Sequence, residues 1–234
     1  MTDSITADRM RPIARLAGVL YLIIIICGIA SEVGIRSGLI VAGDAAATAT
    51  NIRSATGLFR MSLVLDSIML MADVAIAVLL YWLLASAGQL LSLTAAAFRL
   101  IQASLIGVSL LVYFGAFLLL TGSAVPNGFE SGQVESLALL FLDMHGHGYD
   151  LGLVFFAVSN VLLGVLVIRS ALFPDILGYG LIAAAAVYLA GSSVRFLAPA
   201  YLSVVEPAYI VPLVAELAFG LWLLIKGVRE GVRA

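Results

Sequence analysis

Six apolar stretches alternate with short polar segments along the chain, at about 13–35, 60–85, 90–121, 149–168, 176–197 and 207–225. Each approaches or exceeds the roughly 20 residues an α-helix needs to cross a hydrocarbon core of about 30 Å. The link SAGQ between the second and third stretches is short enough to make them an antiparallel hairpin. The polar segment 36–59 contains GDAAATATNIRSATG, in which Asp44 can cap a short Ala/Thr helix. After the loop GSAVPNGFE, Val134, Leu137, Ala138 and Phe141 recur at i, i+3, i+4 and i+7. That spacing predicts a helix lying on the surface over 131–144. The segment HGHGYD follows, and Gly146 and Gly148 predict a break in the helix before the fourth span. Pro207 and Pro212 fall in the first turns of the sixth span, where the second can kink it. No fixed-period repeat is visible, which gives inverted-repeat transporter architecture no support.

Composition agrees with a chain immersed in lipid. Of 234 residues, 63% are hydrophobic and only 11% charged, with mean hydropathy +1.15. Soluble domains run near 25% charged, so this composition leaves too little polar surface to face water. The expected fold class is all-α, a polytopic integral membrane helix bundle of about six transmembrane helices plus one or two surface helices. No linker divides the chain, so residues 1–234 read as a single membrane domain. The first apolar run has no small-residue cleavage site and reads as a retained span rather than a signal peptide. A net charge of −2 offers no basic face for nucleic acid. Cys27 is the single cysteine, which excludes an intrachain disulfide and CxxC redox chemistry.

Lysine and arginine positions set the expected orientation. One side carries Arg9, Arg11, Arg15, Arg169, Lys226, Arg229 and Arg233, together with both termini. The other carries Arg36, Arg53, Arg60 and Arg195 beside Glu130, Glu135, Asp143 and Glu206. Both termini are expected in the cytoplasm, with HGHGYD facing outward.

Charges inside the spans are the candidate chemistry, because ionisable groups at membrane depth are costly unless partnered. Asp73 and Arg99 lie thirteen residues either side of Ser86, the centre of the hairpin turn. At 1.5 Å per residue both sit about 20 Å from that turn, so they should pair. Gln102, one turn from Arg99, can join them, and Asn160 and Glu216 extend a buried polar network. A second constellation, Asp143, His145, His147, Tyr149 and Asp150, gathers both histidines of the protein. Imidazole and carboxylate suit transition metals. Two histidines without a third do not build a His-rich zinc site, so no metal and no cofactor are expected. Glu32, Arg60, Asp66 and Arg195 concentrate in the outer halves of their spans and, with the histidine segment, sketch an outward vestibule of ligand-binding candidates. No GxSxG, GxGxxG, Walker or SxxK motif is present, and no catalytic residue can be named.

The runs ARLAGVLYLIIIICGIASEVGIRSGLIVAGDAAATATNI, GLFRMSLVLDSIMLMADVAIAVLLY and AAAFRLIQA resemble a known family, as do LALLFLDMHGHGYDLGLVFFAVSNVLLGVLVIRS and ELAFGLWLLIKG. The family is the bacterial membrane-protein family called domain of unknown function 4386. The resemblance covers nearly the whole chain and is most specific at HGHGYDLGLVFF. It implies a helical membrane protein and brings no catalytic residues with it.

The leading expectation is a protein of the bacterial cytoplasmic membrane with an outward-facing polar pocket that binds or transports a small ligand or ion. One alternative is an intramembrane metal- or lipid-dependent enzyme using His145, His147 and nearby carboxylates. Another is an interaction or sensor module for a partner membrane protein. The expected partners are the lipid bilayer and an unidentified small ligand or ion, and a homo-oligomer is compatible with the sequence. With an even number of spans, a reporter active only outside the cytoplasm and fused after Ala234 should be silent; strong activity would show that the span count is wrong.

Overall fold

The computed structural model describes residues 7–123, 125 and 128–229. Seven helices carry the architecture. α1 (Ala7–Ser31) continues through a π-helical turn at Glu32–Arg36 and one more turn at Ser37–Leu39. α2 (Ala45–Ser54) is short and starts at Asp44, whose side chain accepts a hydrogen bond from the Ala47 N–H at 2.9 Å. The long helices are α3 (Thr56–Leu84), α4 (Gln89–Leu120), α5 (Ser131–Arg169) and α6 (Asp175–Leu197). Short helical turns over Pro199–Tyr201, Leu202–Val205 and Glu206–Tyr209 lead into α7 (Ile210–Ile225). Six helical segments are long and apolar enough to cross a membrane, and no strand occurs among the described residues. The protein is therefore an all-α polytopic membrane protein. Helices are the expected solution in hydrocarbon, because every backbone N–H and C=O must find its partner within the segment.

The segment 131–144 corrects an expectation. It is not a separate surface helix, and HGHGYD does not break the chain. Ser131–Arg169 is one helix of 39 residues. At 1.5 Å per residue it is about 58 Å long, well beyond the hydrocarbon core. The apolar stripe foreseen there is real, but Val134, Ala138 and Leu142 pack on Phe59, Tyr113 and Phe117 and on α2 instead of on a membrane surface. Gly148 and Gly152 are contact glycines. A Cβ on Gly148 would lie 2.7 Å from the Ser109 Cβ, and one on Gly152 2.7 Å from Ile106 Cγ1. Small residues let α4 and α5 approach closely, the usual source of attraction between helices in lipid.

Each long helix packs on the next in chain order, α1 on α3, α3 on α4, α4 on α5, α5 on α6 and α6 on α7, and α7 returns to α1. The result is a closed ring of six. Large apolar side chains such as Met71, Leu111 and Ile176 point away from it. At the end that carries both termini the ring is plugged. Tyr21, Ile76, Leu83, Leu166, Phe173 and Phe219 belong to one buried cluster there, with Tyr21 and Phe173 each edge-on to Phe219.

Above the plug lies a polar layer. Asp73, Arg99, Asn160 and Glu216 each sit about 14–17 Å from the end of their helices nearer the termini, counting 1.5 Å per residue. Arg99 Nε is 2.7 Å and Nη2 2.6 Å from Asp73 Oδ1, joining α3 to α4 as the hairpin geometry requires. Arg99 also donates to the Tyr21 hydroxyl of α1 at 3.4 Å, and its guanidinium lies 4.9 Å from the Phe156 ring centroid of α5. One side chain thus ties four helices together. Asp73→Ala leaves Arg99 buried without its counter-charge and should cost about 3–5 kcal/mol in reversible unfolding in detergent. Asp73→Ala with Arg99→Leu should recover part of that loss; strictly additive single effects would show the two residues uncoupled.

Candidate functional site

The ring encloses a cavity of about 590 Å³. Its floor is the polar layer. Asp73, Gln102, Phe156 and Glu216 face the cavity, while Arg99 lies behind Asp73 and off the wall. Glu216 Oε1 accepts from Asn160 Nδ2 at 3.0 Å, and the Tyr188 hydroxyl faces the same carboxyl. Gln102 is 5% exposed, and its Oε1 has no partner within the protein.

The cavity opens at the end of the ring opposite the termini, where two arginine clusters stand at its mouth. The π-turn in α1 adds a residue to one turn, and within it Arg36 is buried beside Glu32 and Asp66. Arg36 Nε is 2.7 Å from Glu32 Oε2, and Nη1 is 2.5 Å from Asp66 Oδ2 of α3. The same guanidinium lies 5.6 Å from the Tyr113 ring centroid, and the Tyr113 hydroxyl is 3.0 Å from Ser62 Oγ. Across the mouth, Arg195 of α6 pairs with Asp150 of α5, and Ser192 Oγ donates to Asp150 Oδ1 at 3.2 Å. Asp143, Glu206 and Tyr209 complete the rim.

His145 faces the cavity from α5. Its Nδ1 lies 3.0 Å from Ser109 Oγ and 3.2 Å from the Ser109 carbonyl oxygen, and its ring centroid is 4.9 Å from that of Tyr113. His147, two residues on, points to another side of the same helix. It is exposed, with Nδ1 2.8 Å from the Asp143 carbonyl oxygen and its ring edge-on to Phe196. The histidines do not converge, and among the described residues no group of three or more His, Cys, Asp or Glu could hold a metal.

Of the residues singled out in the sequence, Glu32, Asp143, His145, Tyr149, Asp150 and Arg195 line the cavity toward its mouth, and Asp73, Gln102 and Glu216 line it at the floor. Asp66 is held behind Arg36. Arg60 is outside the ring, with its guanidinium 5.2 Å from the Phe117 centroid. Asn160 and Arg99 support the floor from behind. Tyr188, Tyr209 and Phe156 were not singled out, since aromatic residues in apolar runs carry no distinguishing pattern. Arg36 does carry one, standing four residues after Glu32 in the sequence, and it pairs with Glu32 in the structure.

Three arginines therefore meet three carboxylates, Arg36 with Asp66, Arg99 with Asp73 and Arg195 with Asp150. Among the described residues no lysine, arginine or histidine lies within ion-pair distance of Asp143, Glu206 or Glu216. The cavity wall carries surplus acid.

No curated protein and no solved structure matches the chain. The family described as Domain of unknown function (DUF4386) matches residues 16–227, from the third turn of α1 to just past α7, and so takes in most or all of every helix of the ring. The ring, its plug and its cavity are thus features of the matched region, and the chain belongs to the DUF4386 family.

Proposed function

We propose that the protein binds a small ligand in the cavity of its helix ring, from the side opposite its termini, either as a binding protein or as the outward-open state of a carrier. One observation carries this reading. The cavity reaches a polar floor at mid-membrane depth and is closed behind it by the Tyr21–Phe219 plug. A volume of about 590 Å³ falls within the roughly 300–1,000 Å³ of small-molecule pockets. Its wall joins apolar side chains to a few convergent polar groups, the usual design of such sites. With the positive-inside bias placing the termini in the cytoplasm, the mouth faces the exterior of a bacterial cytoplasmic membrane. Transport additionally requires the plug to open, and the polar layer directly above it is the gate in that case.

Accessibility of the floor tests the reading. Cys27 is buried against Met69 and Ile106, so a Cys27→Ser background removes the native thiol. In that background, Gln102→Cys should react with a membrane-impermeant thiol reagent added outside intact cells. Leu166→Cys, buried in the plug, should not. A Gln102→Cys thiol that is unreactive from outside, or reactive only in inverted vesicles, would contradict an outward pocket.

A further inference from the structure

The cavity's chemistry specifies the charge of its ligand. Resting on the binding reading above, we propose that the site takes a lipophilic organic cation, a quaternary or otherwise positively charged centre bearing apolar or aromatic groups.

Surplus negative charge is the first ground. The carboxylates of Glu32, Asp73, Asp143, Asp150, Glu206 and Glu216 face the cavity, against the guanidinium groups of Arg36 and Arg195 alone. Both of those arginines are paired with carboxylates, and Arg99, paired with Asp73, does not line the cavity. An anion reaching the floor would meet Glu216, and the cation that acts on Glu216, Arg99, is already paired with Asp73. A cation there would meet Glu216 on a wall that Asp73 and Gln102 share. Charges act strongly in a cleft with low-dielectric walls, so this surplus discriminates by sign.

An aromatic column is the second, independent ground. Phe156, Tyr188 and Tyr209 follow one another up the wall, with centroids 5.4 Å apart from Phe156 to Tyr188 and 5.9 Å from Tyr188 to Tyr209. Tyr149 also faces the cavity. Aromatic faces attract cations, and aromatic cages are a recurrent means of holding quaternary ammonium groups. The protein already uses this contact on its own cations. Arg99 lies over Phe156 and Tyr21, and Arg36 lies over Tyr113.

The third ground is the rest of the wall. Ile24, Ile25, Ile29, Met69, Leu153 and Leu213 are apolar, and they leave a compact hydrated ion without ligands over most of the surface. Small inorganic cations call for cages of oxygen ligands. An organic cation with apolar groups satisfies acid, aromatic and aliphatic parts of the wall together.

Two ions of one shape and opposite charge give the test, tetraphenylphosphonium and tetraphenylborate. Calorimetric titration into the purified protein in lipid nanodiscs, with empty nanodiscs subtracted, should show saturable binding of tetraphenylphosphonium. Its affinity should exceed that of tetraphenylborate at least about tenfold, the equivalent of one uncompensated charge contact. Glu216→Gln keeps an acceptor for Asn160 and should weaken tetraphenylphosphonium roughly tenfold. Tyr188→Leu removes the central ring and should weaken it as well, which serves where the glutamate variant does not fold. Ile29→Trp, which narrows the cavity near its mouth, should reduce binding of either ion. Saturable binding that Ile29→Trp reduces but that favours tetraphenylborate, or that ignores both Glu216→Gln and Tyr188→Leu, overturns the cation inference and leaves the ligand-cavity reading standing. Absence of saturable tetraphenylphosphonium binding also overturns the inference, and external labelling of Gln102→Cys then decides the cavity reading separately.

Discussion

A guanidinium at the middle of a bilayer cannot be left alone, and Arg99 is the group around which this protein is arranged. Arginine stays charged in proteins, so its position must supply a counter-charge, hydrogen-bond acceptors and polarisable faces. Asp73 from α3, the Tyr21 hydroxyl from α1 and the Phe156 ring from α5 supply them. Meeting those demands fixes the depth at which four helices cross. Below that level the ring can close on apolar side chains. Above it, the acid and amide groups of the same layer become a floor. The buried ion pair itself is weak evidence for stability, since desolvating two charges offsets much of their attraction. Its role is better understood as setting register, which a contact made of leucines alone would leave free to slide.

The ring topology explains why one end is sealed and the other open. Helices that pack only on their neighbours enclose an axis, and what fills that axis decides permeability. At the end that carries the termini the filling is Tyr21, Phe173, Phe219 and the leucines around them. At the opposite end the axis is left to charged and aromatic side chains, with Arg36 and Arg195 turned toward carboxylates on adjacent helices. The long N-terminal extension of α5, packed on α2, buries Val134, Ala138 and Leu142 against α3 and α4 at the mouth. Water, protein carboxylates and any ligand then share one compartment bounded by a single polar layer and a plug.

Much of this was legible in the sequence, for physical reasons that differ by element. The spans followed from apolar length, and the Asp73–Arg99 pair followed from equal distance to a short turn, which is arithmetic on helix rise. The break at HGHGYD was misread because glycine frees the backbone in water, whereas in lipid Gly148 and Gly152 serve the close approach of α4 and α5. Once the helix is continuous, His145 and His147 project to different sides, and a local string of ligands ceases to be a cluster. Closure of α7 onto α1 was not legible. Lipid-facing and ring-facing apolar residues look alike, so Gly18 against Leu224 and Gly220 against Tyr21 give no pattern in the sequence. The aromatic column was hidden for the same reason, because Phe156, Tyr188 and Tyr209 acquire meaning only from the cavity they share.

The central claim is a water-accessible cavity ending at a polar layer above a dry plug. Hydroxyl-radical footprinting of the protein in nanodiscs tests it most directly, since radicals formed from local water oxidise the side chains that water touches. Tyr149, Tyr188 and Tyr209, on the cavity wall, should be oxidised, while Tyr21, Phe173 and Phe219, in the plug, should be protected. Protection of the cavity set, or oxidation of Tyr21 and Phe219 to the same extent, would contradict the account.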